Sequence, residues 1–124
     1  MYKVVSYHDS KGHCEIQDWL DDLNSRAAKG DKDSRIQLKD IMFCFRLFKE
    51  NGTRMGKYCA RVEGTDGLWE FRPGFNRIFF AFIVADKAIL LHHYRKKSQK
   101  TPPKEIEQAL RNLEDYRKRS EARQ

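Results

Sequence analysis

An α+β fold is predicted for this chain: a strand, a helical hairpin, a meander of four strands and a closing helix. Three observations predict it. Apolar residues recur with a helical period in two stretches of residues 1–50. From Tyr58 to Tyr94 they alternate, or fall in short runs bounded by Gly, Pro and Asp. After Thr101-Pro102-Pro103 the helical period returns. The expected order is β-α-α-β-β-β-β-α, one helical layer on an antiparallel-rich sheet, in a single domain over residues 1–124.

The elements follow in order. Tyr2 to Tyr7 is rich in β-formers and reads as the first strand. Asp9 to Gly12 is a turn and a helix start. Ile16, Trp19, Leu20, Leu23 and Ala27 then share one helix face. Lys29-Gly30-Asp31 ends that helix, and a second runs from Asp33 to Asn51. Leu38, Ile41, Met42, Phe45 and Phe48 form its main stripe, widened by Ile36, Phe43 and Leu47. A stripe that wide should pack on the sheet as well as on the first helix.

Tyr58 to Glu63 and Leu68 to Arg72 read as strands around the turn Gly64 to Gly67. Pro73-Gly74 turns the chain into Arg77 to Val84, which is apolar on both faces as a central strand would be. Ala88 to Tyr94 follows a tight turn, so these strands should pair antiparallel. Thr101 is a candidate cap, with Pro102 as first residue of the last helix. Ile106, Ala109, Leu110 and Leu113 are its stripe, and the polar tail beyond Tyr116 is expected to fray.

Composition narrows the function. The net charge is +7, and it is unevenly placed. Residues 1–50 carry nine basic and nine acidic side chains, whereas residues 51–124 carry sixteen and nine. That asymmetry points to a polyanionic partner at the second half. No apolar run reaches the roughly 20 residues of a membrane span, and the N-terminus lacks a signal-peptide core, so a cytoplasmic protein without a membrane partner is expected. Cys14, Cys44 and Cys59 are odd in number and widely spaced, which favours buried thiols over disulfides or a zinc site. No HExxH, phosphate loop or nucleophile elbow is present, so neither a metal nor another cofactor is expected.

Cationic side chains gather at predicted strand ends. Glu70 and Arg72 share a strand face, and Arg77 opens the next strand across the Pro-Gly turn. Two adjacent guanidiniums make sense around a phosphate. Alternatively, Arg72 is simply an ion-pair partner of Glu70 or Glu63. His92, His93, Tyr94, Arg95, Lys96 and Lys97 close the last strand. Alternation separates His92 and Tyr94 from His93 and Arg95, so both histidines join one site only if the strand ends or bulges. Either histidine could instead be structural, and Lys96-Lys97 could be a solvated turn. RNA cleavage by its own 2′-OH needs a base, cations around the phosphate and an acid for the leaving oxygen. A lysine crowded by cations can serve as the base, and Tyr94 offers a ring for stacking.

The segments GLWEFRPGFNRIFFAF and ILLHHYRKKSQKTPPKEIEQA resemble the phage-associated branch of the RelE/HigB toxins of bacterial type II toxin–antitoxin systems. Glu70, Arg72, Arg77, Tyr94, Lys96, Lys97, Gln99, Lys100, Thr101, Pro102, Glu105, Ile106 and Ala109 carry the likeness, which extends over nearly the whole chain and includes Gly52 to Arg54. The resemblance implies a RelE-like microbial RNase fold and a metal-independent endoribonuclease that cuts messenger RNA on the ribosome. It also implies a cognate antitoxin, often a HigA-like helix-turn-helix protein, and a toxin that is monomeric when alone. Carried over, Arg72 and Arg77 would hold the scissile phosphate, and Lys96 or Lys97 would stabilise charge or act as base. Tyr94, with His92 or His93, would stack and orient a base. Glu70, Arg61, Arg95, Gln99 and Lys100 complete the candidate RNA contacts. A ParE-like inhibitor of DNA gyrase on the same scaffold is the main alternative, and a plain nucleic-acid-binding module is another. The cationic set favours the nuclease.

Overall fold

The computed structural model describes residues 1–122. Its elements are β1 (Lys3–Ser6), α1 (Glu15–Ala28), α2 (Lys32–Asn51), a 3₁₀ turn (Gly56–Tyr58), β2 (Cys59–Arg61), β3 (Trp69–Phe71), β4 (Asn76–Val84), β5 (Lys87–Arg95) and α3 (Pro103–Ala122). The order is the predicted one. The five strands form one sheet in the order β1-β5-β4-β3-β2. The last four strands are an antiparallel meander, and β1 adds in parallel to the outer edge of β5.

The helices flank both faces of the sheet, so the single helical layer expected from sequence is replaced by three layers. β4 decides this. Ile78 and Phe80 point into a core with Phe71, Leu90, Ile16, Ile41 and Phe48, under the α1–α2 hairpin. Phe79 and Ala81 point the other way, into a core with Ile89, Leu91, Ala109 and Leu113, under α3. A strand apolar on both faces must be covered on both faces. Phe71 and Phe80 stack at 4.1 Å, and Phe48 meets both edge-on at 5.1 and 5.5 Å. These aromatic contacts anchor α2 to the sheet.

Local chemistry explains the departures from the sequence reading. Asp9 does not start α1; its Oδ1 accepts from the backbone of Lys11 and His13 and shapes a turn. Cys14 takes the cap position, its sulfur accepting from Gln17 N–H. On α2 the buried stripe is Ile41, Cys44 and Phe48, while Met42, Phe43 and Ile36 are largely exposed. Thr101 does not cap α3, because the helix starts at Pro103 and leaves Thr101 one residue too early; its hydroxyl accepts from Tyr94 instead. The tail expected to fray continues α3 to Ala122, with positions 123 and 124 outside the described residues. Arg119 anchors it, bonding Asp115 on its own helix and the carbonyl of His8. All three cysteines are buried and free. Burial pushes the Cys44 and Cys59 thiols up to about 12 and about 11, so both are protonated and inert.

α2 stops at Gly52, which has φ of 59° and ψ of −136°. A Cβ there would lie 2.6 Å from Tyr2 Cζ. Gly52→Ala is therefore expected to cost about 1–3 kcal/mol for the backbone strain alone, plus a further penalty for the overlap with the Tyr2 ring. Urea unfolding checks this. In a Tyr2→Ala background the overlap disappears, so the added cost of Gly52→Ala should shrink to its backbone part.

Candidate nucleic-acid interface

Strand register brings the cationic residues to one end of the sheet. Phe71 pairs with Ile78, so Arg72 and Arg77 face each other across the β3–β4 turn. Arg77 pairs with Tyr94 and Asn76 with Arg95, so β5 runs out beside the same turn. Lys96 N–H extends the ladder by donating to Phe75 O at 2.7 Å. Arg72 N–H donates to Tyr58 O at 2.8 Å, which ties the 3₁₀ turn to this end as well.

Three depressions run together here. The first, of about 440 Å³, is lined by Asp40, Phe43, Lys57, Tyr58, Arg72, Pro73, Gly74 and Arg77. The second, of about 390 Å³, shares Gly74 and Arg77 and adds Phe75, Lys96, Lys97, Ser98 and Gln99. The third, of about 340 Å³, shares Lys97 and Ser98 and adds Tyr94, Arg95, Pro102, Lys104 and Glu105. The result is a trough with seven cations and two carboxylates, Asp40 and Glu105. Such a lining attracts anions, and a polyanion along its length most of all.

Arg72 and Arg77 are held by different means. Arg72 Nε donates to Glu70 Oε1 at 2.8 Å, and that carboxylate is only 4% exposed. The ion pair offered by sequence as an alternative is thus present, yet the Arg72 side chain stays 43% exposed in the first depression. Breaking the pair would leave a buried charge, so Glu70 fixes the guanidinium strongly. Arg77 Nη1 donates to Gly74 O and Asn76 O at 2.9 and 2.8 Å. Burial lowers its pKa, Glu70 opposes that and Arg72 adds to it, but the group stays charged. Arg77 sits where the first two depressions meet.

Several expected contacts are not available. Glu70 is buried against Arg72 and cannot meet RNA. Tyr94 is 7% exposed; its ring stacks on Phe79 at 5.7 Å and its hydroxyl donates to Thr101 Oγ1 at 3.1 Å. It therefore offers no free face to a base, and burial, opposed by the Thr101 bond, raises its pKa. His92 has both ring nitrogens occupied: Nδ1 lies 2.8 Å from Glu15 Oε1 and Nε2 lies 3.0 Å from Glu105 Oε1. His93 stacks on Trp19 at 4.0 Å, with Nδ1 2.6 Å from Glu15 Oε2. The two histidines stay on opposite faces of β5, beyond a bulge at Leu91, and Glu15 bridges them at the strand edge with one oxygen to each. Arg61 is exposed on β2 but lines none of the three depressions. Lys100 is exposed and also lines none of them, whereas Arg95 and Gln99 belong to the trough.

Sequence reasoning missed Lys57, Tyr58, Asp40 and Phe75. Lys57 Nζ lies 5.4 Å from the Tyr58 ring centre, a cation and an aromatic in one wall. An aromatic inside the Pro-Gly-Phe-Asn turn was a usable signal, since turn tips are ordinarily polar. Among the described residues no group of three or more His, Cys, Asp or Glu is arranged to hold a metal ion. No described helix is long and apolar enough to cross a membrane.

Compared with known families, residues 18–114 match the one described as phage derived protein Gp49-like (DUF891). The matched stretch contains every residue that lines the trough. No curated protein matches the chain.

The His–Glu cluster has a definite pH signature. Burial alone would raise the Glu15 pKa, but hydrogen bonds from His92 and His93 hold it at about 2, below its ordinary 4.5. Burial alone would lower the His92 pKa, but Glu15 and Glu105 raise it above its ordinary 6.5. The Glu15 stabilisation is present above 4.5 and lost as pH falls toward about 2. The His92 stabilisation is complete below 6.5 and lost as pH rises through its folded value. Denaturant midpoints are therefore expected to fall as pH is raised beyond 6.5, and His92→Gln should flatten that slope.

Proposed function

The chain belongs to this phage-derived Gp49-like family, a toxin-like family of toxin–antitoxin systems, and on that premise we propose that it is a RelE/HigB-type messenger RNA endoribonuclease acting on the ribosome. In this reading residues 1–124 are one toxin domain, active in the cytoplasm and neutralised by a cognate antitoxin, of HigA-like helix-turn-helix type. One observation carries it: cations from four separate segments meet along a single trough. They are Lys57 after α2, Arg72 after β3, Arg77 opening β4, and Lys96 with Lys97 after β5. Like charges from distant segments repel one another, so their convergence favours a polyanionic ligand over a purely structural role.

The chemistry needs a base, cations around the phosphate and a proton for the leaving oxygen. The substrate 2′-oxygen gives up its proton and attacks the adjacent phosphorus, the bond to the 5′-oxygen breaks as that oxygen takes up a proton, and a 2′,3′-cyclic phosphate and a 5′-hydroxyl are left. Arg72 and Arg77 hold the non-bridging oxygens, on which charge accumulates in the transition state. Arg72 is aimed by Glu70 and Arg77 by the turn carbonyls, so neither must reorganise as charge develops. Arg cannot take the 2′ proton, which leaves Lys96 or Lys97 for that role or for further charge stabilisation. The buried Tyr94 shapes the floor between the end of β5 and α3 rather than stacking on a base.

A cell-free translation reaction with messenger ends mapped by primer extension tests the reading. Cuts should fall within translated codons. Arg72→Ala and Lys96→Ala should each slow cutting about 10²–10³-fold, the size of one lost preorganised charge contact. Folded Arg77→Ala should keep antitoxin binding while toxicity falls. Intact messenger together with blocked DNA supercoiling would replace this reading with a gyrase inhibitor of the ParE kind.

A further inference from the structure

Phe75 is the most exposed aromatic ring in the trough, ahead of Phe43, which is 42% exposed. It is 67% exposed, at the tip of the turn between β3 and β4. An exposed phenylalanine by itself needs no explanation. Its surroundings make this one unusual. It lines the second depression with Arg77, Lys96, Lys97 and Gln99, and the Arg95 guanidinium lies 5.9 Å from its ring centre.

The backbone beneath the ring is tied down on every side. Asn76 N–H donates to Pro73 O at 3.0 Å and closes the turn. The buried Asn76 side chain donates to Gln37 Oε1 on α2 at 3.0 Å. Phe75 O accepts from Lys96 N–H, and Arg77 clasps the carbonyls on either side of Phe75. An exposed ring on a fixed base loses little freedom when a flat ligand settles on it. Cations flanking an open aromatic face are what a single-stranded nucleic acid requires: phosphates for the cations and a base for the ring.

We propose that Phe75 is the stacking platform for an unpaired RNA base next to the scissile phosphate, a role that sequence had given to Tyr94. The inference rests on the RNA-cleaving reading above and deepens it. Arg77 and Lys96 hold the phosphate while Phe75 receives the neighbouring base, with Arg95 supporting the ring from its other side. The ring face does not distinguish one base from another, so Phe75 supplies affinity and register and leaves base identity to polar neighbours such as Gln99.

The test uses ribosomes programmed with a messenger that carries a 2′-deoxy sugar at the cleavage position, so that it binds without being cut. A 2-aminopurine beside that position reports stacking through its fluorescence. Wild-type protein should quench the probe. Phe75→Ala should abolish the quench and weaken binding roughly 5- to 150-fold, the size of one base–aromatic stack. Phe75→Trp should restore both. With an abasic site in place of the probe, wild type and Phe75→Ala should bind alike. Equal quenching and affinity for wild type and Phe75→Ala would overturn the platform while leaving the nuclease reading intact. If Phe75→Ala instead loses only antitoxin binding, the ring is a protein contact and the proposal fails. No messenger binding by wild type would remove the nuclease reading as well. Because Phe75 is exposed, its variants should keep the wild-type thermal midpoint, which serves as the folding control.

Discussion

The two-sided burial of β4 is the constraint on which the rest depends. Phe80 belongs to the core under the helical hairpin, and Phe79 to the core under α3. A slip of one residue would send every side chain to the opposite face and undo both cores at once. Register is thus locked from two directions. Because β3 and β5 both pair with β4, the same lock determines where their ends lie. Arg72 and Lys96 reach Arg77 for that reason, and not through any attraction among themselves.

The trough and the His–Glu cluster divide the polar chemistry of this end of the molecule. Within the trough, each anchoring bond leaves a cation facing outward: Glu70 takes one edge of Arg72, and turn carbonyls take one nitrogen of Arg77. In the cluster the opposite holds. Glu15 and Glu105 occupy both nitrogens of His92, and Glu15 also accepts the backbone N–H of His93. That last bond covers the edge of β5 beyond the end of β1, where an unpaired strand would otherwise be exposed. The cluster fastens the start of α1 to the sheet and, through Glu105, the start of α3 as well.

Much of this architecture was legible in the sequence, because it follows from hydrophobic period and turn chemistry. The two helices of the hairpin, the strand meander and the closing helix all announce themselves in that way. The third layer was less legible. β4 reads as apolar on both faces, but nothing in the linear pattern says that α3 crosses to the far face from the hairpin. The strand-end position of Arg72, Arg77, Lys96 and Lys97 could be inferred from alternation and the Pro-Gly turn. The fate of Tyr94 and the histidines could not. Their partners Thr101, Glu15 and Trp19 come from other elements, and the Leu91 bulge shifts the phase of β5 without any glycine to mark it. Phe75 sits between the Pro-Gly turn and β4, where neither alternation nor charge marks a role, and its exposure follows only from the folded turn.

The solvent-facing phenyl ring at the turn tip has a colloidal consequence. An open aromatic patch ordinarily invites copies of a protein to adhere. Here it is hemmed by guanidinium and ammonium groups in a chain of net charge +7. Two such surfaces brought face to face repel before their rings can touch. The ring is thus screened from its own kind while remaining open to any flat, negatively charged visitor.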